Sequence, residues 1–350
     1  MLFRQYSLKD VLGQLKLDLI GKDSQRGVSF TYSWLANQFG HFSLGFIPTL
    51  LVFSIFESSI NESIYAAIWV TCFWFLFELY NFLGPLLLDR KSGSKLMYIP
   101  AAKTYHFRPE WSNVAFDTFT DILFFALGAF SAAQMIQAST KLLVIILVLL
   151  GVLIFPVLFW FTVKMSLQDA SYPFQFRLSQ WDRQITDENK DRVSEFLSES
   201  SGGPSHLFIF GPGNSGKSSL GVGVATEHSN RHICCQYLTG MKLYPMFSLD
   251  DETLRAHQKS RWTWRDCSLL LIDDINPGDP VDDLVTAQGF FEMLIKNPET
   301  GSENIDAIKS KKVIWITGIN SPKESRFASW VSMLVAMGVS PSKIVTVNLG

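Results

Sequence analysis

Apolar residues are distributed unevenly along this chain of 350 residues. The first half contains four apolar runs, and each is long enough for a helix that crosses a bilayer, which takes about 20 apolar residues. We predict spans at Trp34–Phe56, Ser63–Leu88, Val114–Ile136 and Leu142–Val163. Because four such runs follow one another, residues 34–165 are predicted to form a four-helix transmembrane domain rather than buried helices of a soluble protein.

The second half alternates short apolar strands with helix-compatible stretches, which is typical of a parallel sheet covered by helices. Strands are predicted at 206–210, 232–238, 268–273, 312–317 and 343–348, and helices at 219–227, 282–296 and 323–337. Residues 206–350 are therefore predicted to form an α/β domain with a parallel five-stranded sheet.

Two further segments complete the predicted organisation. Residues 166–205 mix charged residues with Ser, Gly and Pro, and they predict a linker with one short helix near 186–198. Residues 1–33 include an amphipathic stretch with scattered lysines. This N-terminal segment would lie on the cytoplasmic membrane surface or form an ordinary packing helix.

The basic residues between the apolar runs predict the orientation in the membrane. They precede the first run or lie between the second and third runs: Arg4, Lys9, Lys16, Lys22, Arg26, Arg90, Lys91, Lys95, Lys103 and Arg108. The other two loops contain only Lys141. The positive-inside rule therefore predicts a bacterial inner-membrane protein whose N-terminus, middle loop and C-terminal half are cytoplasmic.

Four ionisable residues interrupt the apolar runs: His41, Glu78, Asp117 and Asp121. A charge at the middle of the bilayer costs about 2.5–3.5 kcal/mol on insertion scales, so such a side chain usually faces a partner or water. At 1.5 Å per residue, three of them would lie about 10–15 Å from the cytoplasmic ends of their spans, with Asp117 one turn shallower. They predict a polar cluster that binds a cation, relays a proton or holds a lipid headgroup. Unrelated polar residues near the span ends are the alternative.

The most specific motif begins at residue 207, where the chain reads LFIFGPGNSGKS. An apolar strand leads directly into G-x-x-x-x-G-K-S at 211–218, and a helix-compatible stretch follows, which is the context of a phosphate-binding loop. We name residues 211–218 the glycine-rich loop. Lys217 would reach the outer phosphates and the Ser218 hydroxyl would ligate Mg²⁺. The predicted binding residues are Gly211, Pro212, Gly213, Asn214, Ser215, Gly216, Lys217, Ser218 and Ser219.

An apolar strand that ends in two acidic residues predicts the other side of the same site. Asp273 would hold the Mg²⁺ shell, and Asp274 would orient the attacking water. A polar residue after the next strand would lie between this pair and the terminal phosphate. Asn320 is preferred to Thr317 for that position, although an asparagine that caps a loop is nearly as good an interpretation.

The motifs GPGNSGKS at 211–218, LLIDDIN at 270–276 and VIWITGIN at 313–320 resemble those of P-loop ATPases of the AAA+ type. The nearest branch is that of helicase loaders, transposition helpers and replication initiators, and the resemblance covers about residues 205–350. It implies ATP rather than GTP, assembly of identical subunits into rings or filaments, and hydrolysis at subunit junctions.

Two features depart from that family's pattern. The chain stops just after the last strand, without the usual helical lid and its arginine. The arginine that reaches a neighbour's phosphate is expected just before the last strand, and the best candidate is Arg326, which lies close to Asn320. A trans arginine is worth about 10³–10⁵ in rate, so hydrolysis without one would be slow.

Charge and composition bear on the partners. The formal net charge of −2 indicates no general affinity for nucleic acid. One mixed patch would suit nucleic acid or anionic lipid, although a solvated helix followed by core tryptophans explains it better. This patch comprises Arg255, His257, Lys259, Arg261, Trp262, Trp264 and Arg265. No pair of the four cysteines has the spacing of metal ligands.

Three functions fit this sequence. The first is an integral-membrane ATPase, in which binding and hydrolysis of Mg-ATP drive assembly or rearrangement of the membrane helices. The second is a signalling or defence effector, in which the nucleotide only gates assembly with little turnover. The third is a membrane anchor that recruits a cytosolic protein or a nucleic acid. Sustained hydrolysis distinguishes the first from the other two.

Overall fold

The computed structural model describes residues 6–13, 30–56, 62–92, 96–98, 101–103, 107, 111–198, 203–258, 260–278, 281 and 283–350. The chain divides into two compact units, residues 1–164 and 165–350. Most of the N-terminal segment 1–33 lies outside the described residues, although residues 8–13 are helical. Apart from Lys9, the basic residues that predict the orientation have no described side chain.

Four long helices account for the apolar runs. They are α1 (Phe30–Phe56), α2 (Ser63–Ser92), α3 (Trp111–Ile136) and α4 (Thr140–Asp169). Each contains a stretch long and apolar enough to cross a membrane. These stretches are Trp34–Phe56, Ser63–Gly84, Trp111–Ile136 and Thr140–Asp169, with a mean hydropathy of 1.7, 1.5, 1.6 and 3.4, respectively. Between α2 and α3, the strands β1 (Leu96–Tyr98) and β2 (Ala101–Lys103) pair in antiparallel fashion.

Helices α1 and α3 approach each other most closely where two glycines meet the facing backbone. A Cβ atom on Gly45 would lie 2.0 Å from the carbonyl oxygen of Phe125, and one on Gly128 would lie 2.0 Å from that of Phe42. Small residues at a close helix crossing are typical of membrane bundles. The imidazole of His41 stacks on Phe125 with ring centroids 4.7 Å apart, so this crossing also positions the histidine.

The second unit is built on a five-stranded parallel sheet in the order β4-β5-β6-β3-β7. The strands are β3 (Ser205–Phe210), β4 (Cys235–Thr239), β5 (Leu269–Asp273), β6 (Lys312–Ile316) and β7 (Ile344–Asn348). The helices are α5 (Asp187–Leu197), α6 (Lys217–Asn230), α7 (Gly240–Leu243), α8 (Asp251–Gln258), α9 (Ala287–Ile295), α10 (Gly301–Lys309) and α11 (Ser325–Ala336). The predicted parallel five-stranded sheet with helices is confirmed.

The pattern of the sequence does not predict α10. Its sequence, GSENIDAIK, contains few apolar residues, so the apolar signal for a helix is weak. The buried positions Gly301, Asn304, Ala307 and Ile308 do have helical spacing, but one of them is a polar asparagine. Asn304 is fully buried because its amide donates to the carbonyl oxygens of Phe247 and Leu294, both at 2.8 Å.

Residues 170–186 and α5 pack on the sheet and belong to the second unit. The Tyr237 amide donates to the carbonyl oxygen of Ala170 at 2.8 Å, and the hydroxyls of Tyr172 and Ser229 lie 2.8 Å apart. The α5 helix begins as predicted, since the Thr186 hydroxyl accepts the N–H of Asn189. The segment before the sheet is therefore held in place by the α/β core.

Candidate functional site

The order of the strands brings three loops to one edge of the sheet. Strand β3 pairs with β6, and β6 pairs with β5, all in parallel. The carboxyl ends of parallel strands meet at the same edge, where α/β proteins form their ligand sites. The glycine-rich loop after β3, the acidic pair at the end of β5 and the residues after β6 therefore lie side by side.

The glycine-rich loop turns sharply into α6. Its backbone has a positive φ at Gly211 (147°), Asn214 (62°) and Gly216 (95°). At Gly216 a side chain is also excluded by contact, because a Cβ atom there would lie 3.0 Å from the Trp181 ring and 3.1 Å from Arg183 Cδ. Helix α6 begins directly after this residue, so its unpaired N–H groups and its positive end open on the loop. This is a suitable cradle for an anion.

The side chain of Lys217 folds back over the loop. Its Nζ donates to the carbonyl oxygens of Gly211 at 2.5 Å and Pro212 at 3.0 Å. Burial lowers the pKa of Lys217, and the nearby charges of Asp273 and Asp274 oppose that shift. The ammonium group is therefore held inside the loop, within a site that also contains carboxylates.

The two aspartates at the end of β5 have different environments. Asp273 is 1% exposed; its Oδ2 accepts the Tyr237 hydroxyl at 3.0 Å, and its Oδ1 accepts the Asp274 N–H at 2.9 Å. Burial raises the pKa of Asp273, while a hydrogen bond from Ser218 lowers it. Asp274 has a φ of 48° and is exposed. The Asp273 carboxylate is therefore fixed beneath the surface and does not line the cavity described below, whereas the exposed Asp274 carboxylate can contact a ligand.

A cavity of about 380 Å³ lies between these elements. It brings together most of the residues that the sequence predicts, including Asp274, Asn320 and its alternative Thr317. The lining residues are Arg183, Gly213, Asn214, Ser215, Gly216, Lys217, Ser218, Ser219, Asp274, Asn276, Pro277, Gly278, Ile316, Thr317, Gly318 and Asn320. The volume lies within the range of about 300–1,000 Å³ that is usual for small-molecule sites.

Arg326 is placed apart from this cavity. Its Nη1 lies 3.2 Å from Asp283 Oδ1, and its Nε donates to Glu324 Oε2 at 2.9 Å. Glu324 also accepts the backbone N–H groups of Asn320 and Ser321, each at 3.0 Å. Within one chain, Arg326 therefore stabilises the loop that carries Asn320, because it holds Glu324 in place.

Sequence reasoning missed Arg183. This arginine lies 34 positions before Lys217 in a polar stretch, and no motif or spacing distinguishes it from other surface arginines. The structure places its guanidinium at the cavity, where it donates to the carbonyl oxygen of Asn214.

The oxygen donors of this site suit a magnesium ion. The Ser218 hydroxyl and the Asp273 carboxylate, the two predicted ligands, are hydrogen-bonded to each other, which brings both oxygens to one place. Hard oxygen ligands, with the remainder from phosphate and water, are what Mg²⁺ prefers. A divalent cation would also offset the cost of burying Asp273.

The predicted polar cluster of the first unit is partly assembled by direct contacts. His41 Nδ1 lies 2.9 Å from Asp121 Oδ1, which also accepts Gln38 Nε2 at 2.9 Å. Glu78 and Asp117 interact electrostatically with this group. Gln38 is fully buried, and its Oε1 has no hydrogen-bond partner among the residues that the structure describes. Among the described residues, no group of three or more His, Cys, Asp or Glu side chains is arranged to hold a metal ion.

The fold does not present the residues of the mixed basic and aromatic patch as one exposed surface. Trp262 and Trp264 are buried, and Trp262 Nε1 donates to the carbonyl oxygen of Cys235 at 2.9 Å. Arg261 is paired with Asp169 and Arg265 with Asp251. Lys259 lies outside the described residues. The tryptophans are therefore not available as stacking platforms for bases, as the core interpretation predicts.

Comparison with protein-family models gives no match. Comparison with curated proteins gives no match either. Among solved structures, the chain is similar to the crystal structure of DnaI, with 14% sequence identity and a TM-score of 0.30. That match covers 50% of this chain and 88% of DnaI.

Proposed function

We propose that this protein is an integral-membrane P-loop ATPase of the AAA+ type. The observation that carries the proposal is the single cavity where the glycine-rich loop, Asp274 and Asn320 meet at the edge of a parallel sheet. Each of these parts is predicted from the sequence for ATP, and the strand order β5-β6-β3 gives a physical reason for their proximity. The four apolar helices supply the membrane part of the proposal.

Each of the site residues has its own role in hydrolysis, and that role follows from its position. The loop N–H groups and Lys217 bind the phosphates, and Lys217 stabilises charge that develops on them. Mg²⁺, held by Ser218 with Asp273 behind it, would neutralise phosphate charge when bound. Asp274 orients the attacking water, and Asn320 donates to the outer phosphate from the β6 side. In a homo-oligomer, Arg326 would exchange its pairing with Asp283 and Glu324 for the phosphate of the neighbouring subunit.

The proposed place of action is the inner side of a bacterial inner membrane, with both termini in the cytoplasm. ATP binding and hydrolysis would change how the second units pack together, and this change would rearrange the membrane helices. A cytosolic protein partner is compatible with this arrangement. Nucleic acid is disfavoured, because the tryptophans that would stack on bases are in the core.

Turnover and particle size test the proposal together. Purified full-length protein in detergent is expected to hydrolyse ATP steadily with Mg²⁺ and to form larger particles with ATP than without it. Light scattering and phosphate release measure the two effects on one sample. Binding of ATP with negligible turnover would favour the gated effector, and failure to bind ATP would contradict the proposal.

For the polar cluster, we propose proton binding. His41 contacts Asp121, and the charges of Glu78 and Asp117 also act on this imidazole. Each uncompensated charge near the middle of a bilayer would cost about 2.5–3.5 kcal/mol, so proton uptake would relieve the excess negative charge. The absence of a metal-binding group among the described residues disfavours the cation, and the negative charge disfavours a phosphate headgroup.

Replacement of Glu78 by Gln tests this site. Glu78→Gln imitates the protonated carboxyl, so insertion is expected to be normal while ATP hydrolysis loses its pH dependence and falls by about 5-fold or more. Membrane fractionation and a pH profile of phosphate release measure these effects. Glu62→Gln, an exposed position just before α2, is the matched control. Unchanged hydrolysis at every pH in Glu78→Gln would contradict a role for the cluster.

A further inference from the structure

Arg183 reaches the glycine-rich loop from a segment that precedes the sheet. Its guanidinium donates to the carbonyl oxygen of Asn214, and its Cδ and Nε lie 3.1 Å and 3.2 Å from the position of a Cβ atom on Gly216. The side chain therefore lies across the final turn of the loop, directly before α6. An arginine in this position faces whatever the loop binds.

The backbone that carries Arg183 is fixed by packing on α6. Trp181 is 2% exposed, and its ring lies against Gly216. Phe176 and Leu178 contact the helix at Gly223, and Arg177 Nε pairs with Glu227 at 3.1 Å. A buried tryptophan, two apolar contacts and an ion pair thus hold the segment, so the approach of Arg183 to the loop is built into the fold.

The charges in the cavity favour an anion at Arg183. Arg183 and Lys217 are the basic residues among the described residues that line it, and Asp274 is the acidic one. Both cations donate to neutral carbonyl oxygens of the same loop. Both bonds already have a charged donor, and a phosphate oxygen adds the attraction of its negative charge, so it competes well with a neutral carbonyl oxygen. The planar guanidinium can also form two parallel bonds to a phosphate, which an ammonium group cannot.

We propose that Arg183 is a phosphate-binding residue for the nucleotide, supplied in cis by the segment before the sheet. This inference rests on the proposed function, because it requires a nucleoside triphosphate in the glycine-rich loop. It adds a second positive contact to that of Lys217, and it comes from a segment, residues 176–183, that the motifs do not include. Nucleotide binding then engages the segment that directly follows α4 in the chain.

The test is calorimetric titration of full-length protein in detergent with Mg-ATP. Arg183→Gln is expected to weaken ATP binding by about 10- to 100-fold, the range for a charge-assisted hydrogen bond. Arg183→Lys keeps the positive charge but loses the planar guanidinium that can form two parallel bonds to a phosphate. Its ATP affinity is therefore expected to lie between those of the wild type and Arg183→Gln. Arg255→Gln is the control, because this 62% exposed side chain makes only a 3.5 Å pair with Asp266.

The thermal midpoint of the ligand-free protein separates ligand binding from a structural role. It is expected to stay within about 2 °C of the wild type in Arg183→Gln, because the lost bond joins an exposed side chain to one carbonyl oxygen. Equal ATP affinity of the wild type and both variants would overturn the inference, as would a loss of affinity that only parallels a loss of stability. A wild-type protein that does not bind ATP would overturn the proposed function itself.

Discussion

Replacement of Lys217 by Ala is expected to weaken ATP binding and to reduce hydrolysis by at least about 100-fold, the usual effect of removing one donor that stabilises developing charge. The ammonium group sits inside the glycine-rich loop, within hydrogen-bonding distance of the Gly211 and Pro212 carbonyl oxygens. Alanine leaves the loop backbone intact but removes the charge that reaches the outer phosphates. Phosphate release by the full-length protein in detergent measures the effect.

Lys190→Ala is the matched control for this experiment. Lys190 lies on α5 and pairs with Asp187, which is 93% exposed, so the loss of this surface pair is expected to have little effect on stability and to leave hydrolysis unchanged. Hydrolysis by Lys217→Ala at the rate of the Lys190→Ala protein would show that the loop does not hold the phosphates.

Replacement of Asp274 by Asn is expected to separate binding from turnover. Without a carboxylate to orient water, hydrolysis is expected to fall by about 10²–10⁴-fold, while ATP affinity changes by only a few-fold. The φ of 48° at this position does not confound the result, since asparagine tolerates the left-handed region as well as aspartate does. Single-turnover hydrolysis and equilibrium binding of ATP are the two measurements.

Asp306→Asn provides the comparison for Asp274→Asn. Asp306 is exposed on α10 and pairs with Lys309, and the same change there is expected to leave both measurements at the wild-type level. An Asp274→Asn protein with a normal rate would remove Asp274 from the reaction. One that loses binding as well would assign Asp274 to the binding of the ligand instead.

The sequence predicts most of the fold because its signals are local. Four apolar runs give four helices, and buried parallel strands read as continuous apolar segments such as LLLI before Asp273. The location of the site also follows a physical rule, since loops after parallel strands share one edge of the sheet. For that reason Lys217, Asp274 and Asn320 are found at one cavity although they are far apart in the chain.

The features that the sequence does not predict depend on contacts between residues that no local sequence pattern indicates. Arg183 reaches the cavity because Trp181 and Phe176 pack on α6, and nothing in the spacing of these residues indicates that packing. The pair of His41 and Asp121 is a similar case, because the position of each residue along its apolar run predicts only a shared layer. The contact at 2.9 Å depends on the close crossing of α1 and α3.

Arg326 shows the limit of carrying a role from a motif. The resemblance implies an arginine just before the last strand that contacts a neighbouring subunit. Arg326 is the best candidate although it lies close to Asn320, and that role stays a prediction. Within the chain, Arg326 is paired with Asp283 and with Glu324, whose carboxylate in turn holds the Asn320 backbone. The contact with a neighbouring subunit and the pairing within the chain need the same guanidinium group, so a measurement on the assembled protein distinguishes them.

Calorimetric titration of the detergent-purified wild-type protein with Mg-ATP tests whether the glycine-rich loop holds a nucleotide. Saturable binding is expected with one nucleotide per chain at micromolar to millimolar concentration, which is the usual range of about 1 μM to 1 mM for enzyme substrates. Lys217→Ala is expected to remove this signal. A folded, monodisperse wild-type protein that gives no binding heat and no stabilisation against heat at millimolar ATP would show that the loop is not a nucleotide site.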